Sequence, residues 1–402
     1  MTEFFNVLRL EEAQRLIKDK LPKPGTELLP LDQALGRRLA ANIVARENLP
    51  PFERSTVDGY AVRSQDVFGA SESIPAFLVL KGEVLMGCAA GVEISVNECA
   101  WVPTGGAIPA GADAMVMVEY TEKLGDDTVL ITRPAGPGDN IIRAGEDCPL
   151  GGIGLQSGTV LRPQDIGVAA ALGYSSLEVE CAIRVGIVST GDEIVDVDKT
   201  PGYGQVRDVN SYALAAAVQR RGGQPMYYGI IPDDFERLRD TVSKALMEND
   251  MVVLSGGSSV GTRDMSLQAM LSLPGAEMLF HGLSVKPGKP TLAVAIGDKL
   301  ALGLPGHPVS ALMVFETTIG QIMNPGFAGL IGAVLNDSIA SQPGRDDFVR
   351  VALKDIDGML YAVPVHGKAG LIRIMSLADG FIHIPYEKQG FNKGEQVMVH
   401  LF

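Results

Sequence analysis

Met251-Val-Val-Leu-Ser-Gly-Gly-Ser-Ser-Val-Gly-Thr-Arg-Asp264 is the stretch on which the fold turns. Its apolar start reads as a buried strand, and a Gly-rich loop follows without a break. Upstream, residues 183–189 (Ile-Arg-Val-Gly-Ile-Val-Ser) show the same buried-strand pattern. Ser211 to Arg221 is Ala-rich and helical, and Gly222-Gly223 stops it. Pro225 to Ile231 reads as another strand, and Asp233 as the N-cap of a helix from Phe235 to Met247. Strands alternating with helices predict crossover connections and a three-layer α/β domain with a mostly parallel sheet. In such sheets ligands sit beyond the carboxyl ends of the strands, where these loops fall.

The flanks read differently. After a stiff connector, Leu49-Pro50-Pro51-Phe52, come short β-rich runs at Phe77 to Leu80, Ala114 to Val118 and Thr128 to Ile131, punctuated by Gly and Asp. Helix candidates lie at Val7 to Ile17, Asp32 to Leu39 and Pro163 to Leu172. Short strands resume at Phe348 to Leu353, Leu360 to Val365, Gly380 to Pro385 and Gln396 to Leu401, predicting a small β-barrel or β-sandwich. The expected organisation is multi-domain α/β plus β: residues 1–50 with 146–180, a β-rich insertion at 51–145, the α/β domain at 181–328 and a β domain at 329–402.

Composition narrows the function classes. The 402 residues suit two to four domains, and 46% hydrophobic content supports real cores. A net charge of −14 disfavours non-specific binding to nucleic acid or an acidic membrane. Cys88, Cys99, Cys148 and Cys181 form no Cys-x-x-Cys pair, so neither a zinc site nor a redox dithiol is indicated, and a reduced cytoplasmic setting is expected. The charged start, MTEFFNVLRLEEAQRL, carries no apolar signal region, and no run approaches the length of a membrane span.

The chemistry-bearing motifs gather on the α/β domain. Glycines at Gly256, Gly257 and Gly261 let backbone N–H groups approach an anion, and Ser255, Ser258 and Ser259 add hydroxyls. Asp264 would then stand beside that anion, where a Mg²⁺ could join carboxylate to phosphate; the alternative is a tight turn with Asp264 as N-cap. Ser189-Thr190-Gly191-Asp192-Glu193 places two carboxylates at a strand end, a costly arrangement unless cations or hydrogen bonds compensate it. Lys286-Pro287-Gly288-Lys289-Pro290 is either solvated surface or a cationic clamp on an oxyanion. Pro305-Gly306-His307-Pro308 ends a strand and opens a helix, with His307 either a ligand contact or a structural residue. In the β-rich stretch, Pro51 to Ala61, Pro103 to Ala107 and Gly138 to Asp147 concentrate polar groups that read individually as turns. No Gly-x-Ser-x-Gly elbow or Cys–His pairing suggests a covalent nucleophile.

Taken in order, Ser-Thr-Val-Asp58-Gly-Tyr-Ala, Thr104-Gly, Asn140 to Asp147, Ser189 to Glu193, Asp208-Val-Asn210, Ser255 to Gly261, Lys286-Pro-Gly-Lys289-Pro and Gly303 to Pro308 resemble the MoeA family of molybdopterin molybdenumtransferases, with the gephyrin and plant Cnx E-domains. The resemblance runs along nearly the whole chain. It implies a central MogA-like domain, an elongated dimerisation domain at 1–50 with 146–180, and a homodimer whose active cleft is shared between subunits. It implies a reaction of adenylylated molybdopterin with molybdate and Mg²⁺ that releases AMP and molybdenum cofactor, with a MogA-type enzyme as a partner. By motif, Glu193, Asp233 and Asp264 would handle Mg²⁺ and phosphates, and Lys286 and Lys289 the oxyanion or pterin phosphate. Asp58, Thr104 and Asp147 would complete the cleft from the other subunit, while Arg345 and Ser376 match positions touching ligand or oxyanion. Departures fall at Val57 (Met in many members), Ser258 (Val), His307 (Asn), and at Phe280-His281-Gly282, where some members place a further lysine.

Overall fold

The computed structural model describes residues 7–256, 265–324 and 329–402. The chain forms two compact units, Thr26–Glu180 and the combined segments Met1–Gly25 and Cys181–Phe402.

Within Thr26–Glu180, a six-stranded sheet runs in the order Ala114–Met117, Gly59–Val62, Glu98–Val102, Ala76–Glu83, Thr128–Ile131, Thr121–Leu124. Ala76–Glu83 shows the period of two expected of a half-buried strand: Leu78 is buried, while its neighbours Phe77 and Val79 are exposed. A separate core of Leu39, Ile43, Leu155, Leu161, Leu172 and Leu177 packs the helix Pro163–Ala171 near the antiparallel pair Thr26–Pro30 and Ser176–Glu180. That helix starts on a proline, and its Asp165 reaches back to the Arg162 N–H at 2.9 Å, closing a capping box. The helix expected at Asp32 to Leu39 is only a 3-10 turn, Leu31–Gln33. Gly36 follows, and its N–H bonds Leu161 O instead of continuing a helical ladder.

In the other unit, the central sheet orders its strands Gln224–Ile231, Arg184–Thr190, Met251–Ser255, Lys299–Leu304, Leu292–Ile296, Ala276–His281. The first four pair in parallel, and Leu292–Ile296 pairs antiparallel with both of its neighbours. Consecutive apolar residues serve opposite layers. Ile187 packs with Leu214, Val218, Val309 and Phe315 of the helices Asn210–Arg220 and Pro308–Thr317. Val188 packs with Leu238, Val242 and Met270 of the helices Phe235–Glu248 and Met265–Leu271. This is the three-layer architecture expected of continuous apolar runs in a mostly parallel sheet.

The N-terminal helix, Leu10–Lys20, buries Leu10, Ala13 and Ile17, one face at helical spacing. Those residues belong to the same core as Phe280 and Phe315. The helix thus packs in the α/β unit. Between the helices Asn210–Arg220 and Pro308–Thr317, buried Glu316 bonds both Arg220 and Arg221.

Beyond residue 329, the strands Leu330–Leu335, Asp346–Ile356, Met359–Pro364, Gly380–Ile384 and Gln396–Leu401 pair around a closed ring, because Asp346–Ile356 bonds both Met359–Pro364 and Gly380–Ile384. The barrel fills with Leu335, Val351, Ala362, Ile382 and Val399. No helix among the described residues is long and apolar enough to cross a membrane.

Candidate active site

Register brings the chemistry-bearing loops to one edge. Thr190 pairs with Ile231, Ser189 with Ser255, and Ser255 with Leu304. The parallel strands therefore end side by side, and the chain leaves each of them toward the same edge.

Hydrogen bonds tie these loop starts together. The Thr190 hydroxyl donates to Asp233 Oδ1 at 3.0 Å, and the Asp233 N–H donates to Asp192 Oδ1 at 3.2 Å. Asp234, one residue beyond the expected cap, accepts from the Arg237 N–H and starts the helix Phe235–Glu248. Asp233 is thereby left to bond the first loop. The buried Asp208 accepts from the Ser189 hydroxyl at 3.2 Å and from the Ser211 N–H at 3.0 Å. Asn210 Nδ2 donates to the Gly306 carbonyl at 2.8 Å. Gly256 sits at φ +105°, and a Cβ there would overlap the Thr190 carbonyl, so only glycine lets the third loop cross the first so closely. Glu193 folds back over Gly191, its Oε2 2.7 Å from where a Cβ of that glycine would stand.

A cavity of about 730 Å³ opens at this edge, large enough for a cofactor-sized ligand. Ser189, Thr190, Glu193, Ser255, Gly256, Pro305, Gly306, His307 and Pro308 line it, as do apolar Ile194, Val206, Val209 and Ile372. His307 is exposed at the start of the helix Pro308–Thr317. Gly257, Ser258, Ser259, Gly261 and Asp264 lie outside the described residues. Among the described residues, no three His, Cys, Asp or Glu side chains are grouped to hold a metal ion.

The Lys286–Pro290 turn divides two cavities. Gly288, at φ +115°, presses against Val314 so closely that a Cβ would overlap it, and its carbonyl accepts from the buried Thr291 hydroxyl at 2.6 Å. With the turn pinned there, Pro290 faces the first cavity, while Lys286 and Pro287 line a second one of about 430 Å³. The second cavity also receives Arg350, His366 and Lys368. The one carboxylate among its described lining residues, Asp347, is gripped by Arg345 through two nitrogens, at 2.7 and 3.3 Å. Arg350 bonds the Gly367 carbonyl at 3.3 Å, and its buried Nε has no partner among the described residues. Burial lowers the Arg350 pKa from its ordinary value, yet a guanidinium stays protonated in proteins. The result is a half-buried cationic pocket; of the two lysines in the expected clamp, Lys286 lines it and Lys289 does not. A lone arginine in the strand Phe348-Val349-Arg350 was the available signal for the rest.

Lys289, Arg345 and Ser376 are not among the residues lining either cavity. Lys289 is exposed. Arg345 is committed to Asp347, and the exposed Ser376 hydroxyl donates to Arg373 O at 2.8 Å within its own turn. In the Thr26–Glu180 unit, the Thr104 N–H donates to Asp58 Oδ1 at 2.7 Å. Asp147 is exposed there, its N–H held by Leu49 O.

An α/β domain with its loops gathered at the carboxyl edge, a β-rich unit and a terminal barrel define a multidomain protein built around a ligand-binding α/β domain. Three family models follow that order: the MoeA N-terminal region (domain I and II) over residues 8–173, the "Probable molybdopterin binding domain" over 186–324, and the MoeA C-terminal region (domain IV) over 332–402. The chain belongs to the MoeA family. It is 32% identical over 409 residues to a Methanocaldococcus jannaschii protein assigned to molybdopterin biosynthesis, covering 98% of each chain. It is 31% identical over 411 residues to the molybdopterin molybdenumtransferase of Bacillus subtilis, covering 100% of this chain and 95% of that one. The solved structure of the molybdopterin biosynthesis moeA protein of Pyrococcus horikoshii OT3 superposes with a TM-score of 0.88 at 32% identity, covering 99% of this chain and 100% of that one.

Proposed function

We propose that this chain is a molybdopterin molybdenumtransferase of molybdenum cofactor biosynthesis, joining molybdate to adenylylated molybdopterin with release of AMP. The observation that carries this reading is the pair of cavities flanking the Lys286–Pro290 turn. One is large and mostly apolar, with Gly-rich strand ends for phosphates; the other is small and cationic. A bulky phosphorylated heterocycle and a compact oxyanion are the two substrates such a pair suits. The reaction requires positioning and charge neutralisation, which fixed amides and cations supply without a covalent nucleophile.

In this reading Lys286, Arg350 and Lys368 hold molybdate, while Gly256, Gly306 and the start of the Pro308–Thr317 helix receive the phosphates. Mg²⁺ belongs to the proposed reaction. Glu193 and Asp233 are oxygen donors of the right kind, but the described residues do not gather a complete set. We further infer a cytoplasmic homodimer in which Asp58, Thr104 and Asp147 of a second subunit complete the cleft, supplied with adenylylated substrate by a MogA-type enzyme. Incubating the protein with adenylylated molybdopterin, molybdate and Mg²⁺ is expected to release AMP, and Glu193→Ala to slow that release. No AMP from the wild-type chain would sink the proposal.

A further inference from the structure

We propose that Asn210 selects the ligand of the larger cavity by accepting a hydrogen bond from an amino group on a heteroaromatic ring. Asn210 begins the helix Asn210–Arg220, lines the cavity and is only 8% exposed. Its Nδ2 donates to the Gly306 carbonyl at 2.8 Å. A carbonyl can only accept, so that bond settles the orientation of the amide: the NH₂ end faces Gly306 and Oδ1 faces elsewhere. Oδ1 is buried and has no partner among the described residues. Two neighbouring donors are already spent, since the Ser189 hydroxyl and the Ser211 N–H both go to Asp208. A buried acceptor without a donor bears the full desolvation cost of the group. A ligand that brings the donor removes that cost, and one that brings another acceptor raises it.

The surroundings say what kind of ligand. Ile194, Val206, Val209, Pro290, Pro305 and Ile372 make apolar walls suited to a planar ring. The inference rests on the proposed function, whose substrate contains two aminated heterocycles, adenine and pterin. Both present an exocyclic amine.

Two matched ligand pairs test it on the full chain by titration calorimetry. AMP and IMP differ by an amine replaced with an oxo group, and so do 6-carboxypterin and 6-carboxylumazine. The wild-type chain is expected to prefer the aminated member of one pair by at least ~10-fold, a lower bound for a site with a buried polar group left unpaired by the wrong ligand. Preference within the purine pair assigns the adenine ring, and preference within the pterin pair assigns the pterin. Asn210→Ala, or Asn210→Ser if the first does not fold, is expected to erase the preference. Equal binding within both pairs, or a preference that survives in the folded variant, overturns the inference. Wild-type AMP release without any such preference overturns it alone; absence of AMP release and of binding by either pair overturns the underlying reading as well.

Discussion

Asp58 and Thr104 stand 46 residues apart and meet directly: the Thr104 N–H donates to Asp58 Oδ1 at 2.7 Å. The Asp58 carbonyl in turn accepts from the Val118 N–H at 3.0 Å. One exposed aspartate therefore anchors two loops at the end of the β-rich sheet, and two motifs that read separately in sequence become one feature.

Asp58→Ala removes a charge-assisted bond in an exposed turn, so its stability cost should be small, about 1 kcal/mol. If a second subunit's Asp58 completes the cleft, AMP release should fall at least ~10-fold, the loss of roughly 1.4 kcal/mol. Asp58→Asn keeps an oxygen that can accept from Thr104, so comparing the two variants separates the turn's shape from the carboxylate's charge. Thermal unfolding alongside AMP release decides it; wild-type activity in Asp58→Ala would remove this residue from the site.

The division of labour between the cavities predicts different kinetics for their residues. Lys286→Ala should raise the KM for molybdate roughly 10- to 100-fold, the worth of a charge-assisted bond of ~1.5–3 kcal/mol, with affinity for the pterin substrate nearly unchanged. Arg350→Ala should act likewise. Titrating each substrate separately is the measurement. A loss of pterin affinity with unchanged molybdate KM would exchange the assignments.

Much of this arrangement could be read in advance, for identifiable reasons. Val252 to Leu254 and Val185 to Val188 are apolar without alternation because the sheet is covered on both faces, and the loops that follow had to emerge at the carboxyl edge. Other features depended on contacts that no local pattern contains. Leu10, Ala13 and Ile17 announce a helix with one buried face, yet not which core receives it. Asp233 and Asp234 are equivalent as cap candidates until the loops are placed, and the helix takes Asp234 while Thr190 takes Asp233. Lys286 and Lys289 look like a pair in sequence, but Lys286 alone lines the cationic cavity. Arg350 falls within the strand read from Phe348 to Leu353, which does not tell what it faces; in the folded chain it lines that cavity with Lys286 and Lys368.

The buried Glu316 is a test of how the helices bearing the site are held. Its carboxylate faces Arg220 and the almost fully buried Arg221. Removing one member of a buried ionic group leaves the others desolvated and uncompensated, at a cost of ~3–5 kcal/mol. Glu316→Ala should lose that much in urea unfolding. A change below about 1 kcal/mol would mean that water or rearranged neighbours compensate the arginines.

His400 makes stability depend on pH with a definite sign. Burial, followed by repulsion from His383, lowers its pKa from the ordinary value of 6.5. The half-buried ring stacks on Phe381 at 5.0 Å between centroids. In the unfolded chain His400 takes up its proton near pH 6.5, while the folded chain resists it until lower pH. Below that pH the unfolded state binds more protons, so stability falls with falling pH; above it this contribution is fully present. His400→Gln cannot take up that proton and should flatten the decline in thermal stability below pH 6.5. His383 pairs with Asp346 at 2.7 Å, so this contact must be kept in the variant for the comparison to isolate His400. An unchanged pH profile in His400→Gln would show that another group governs the decline.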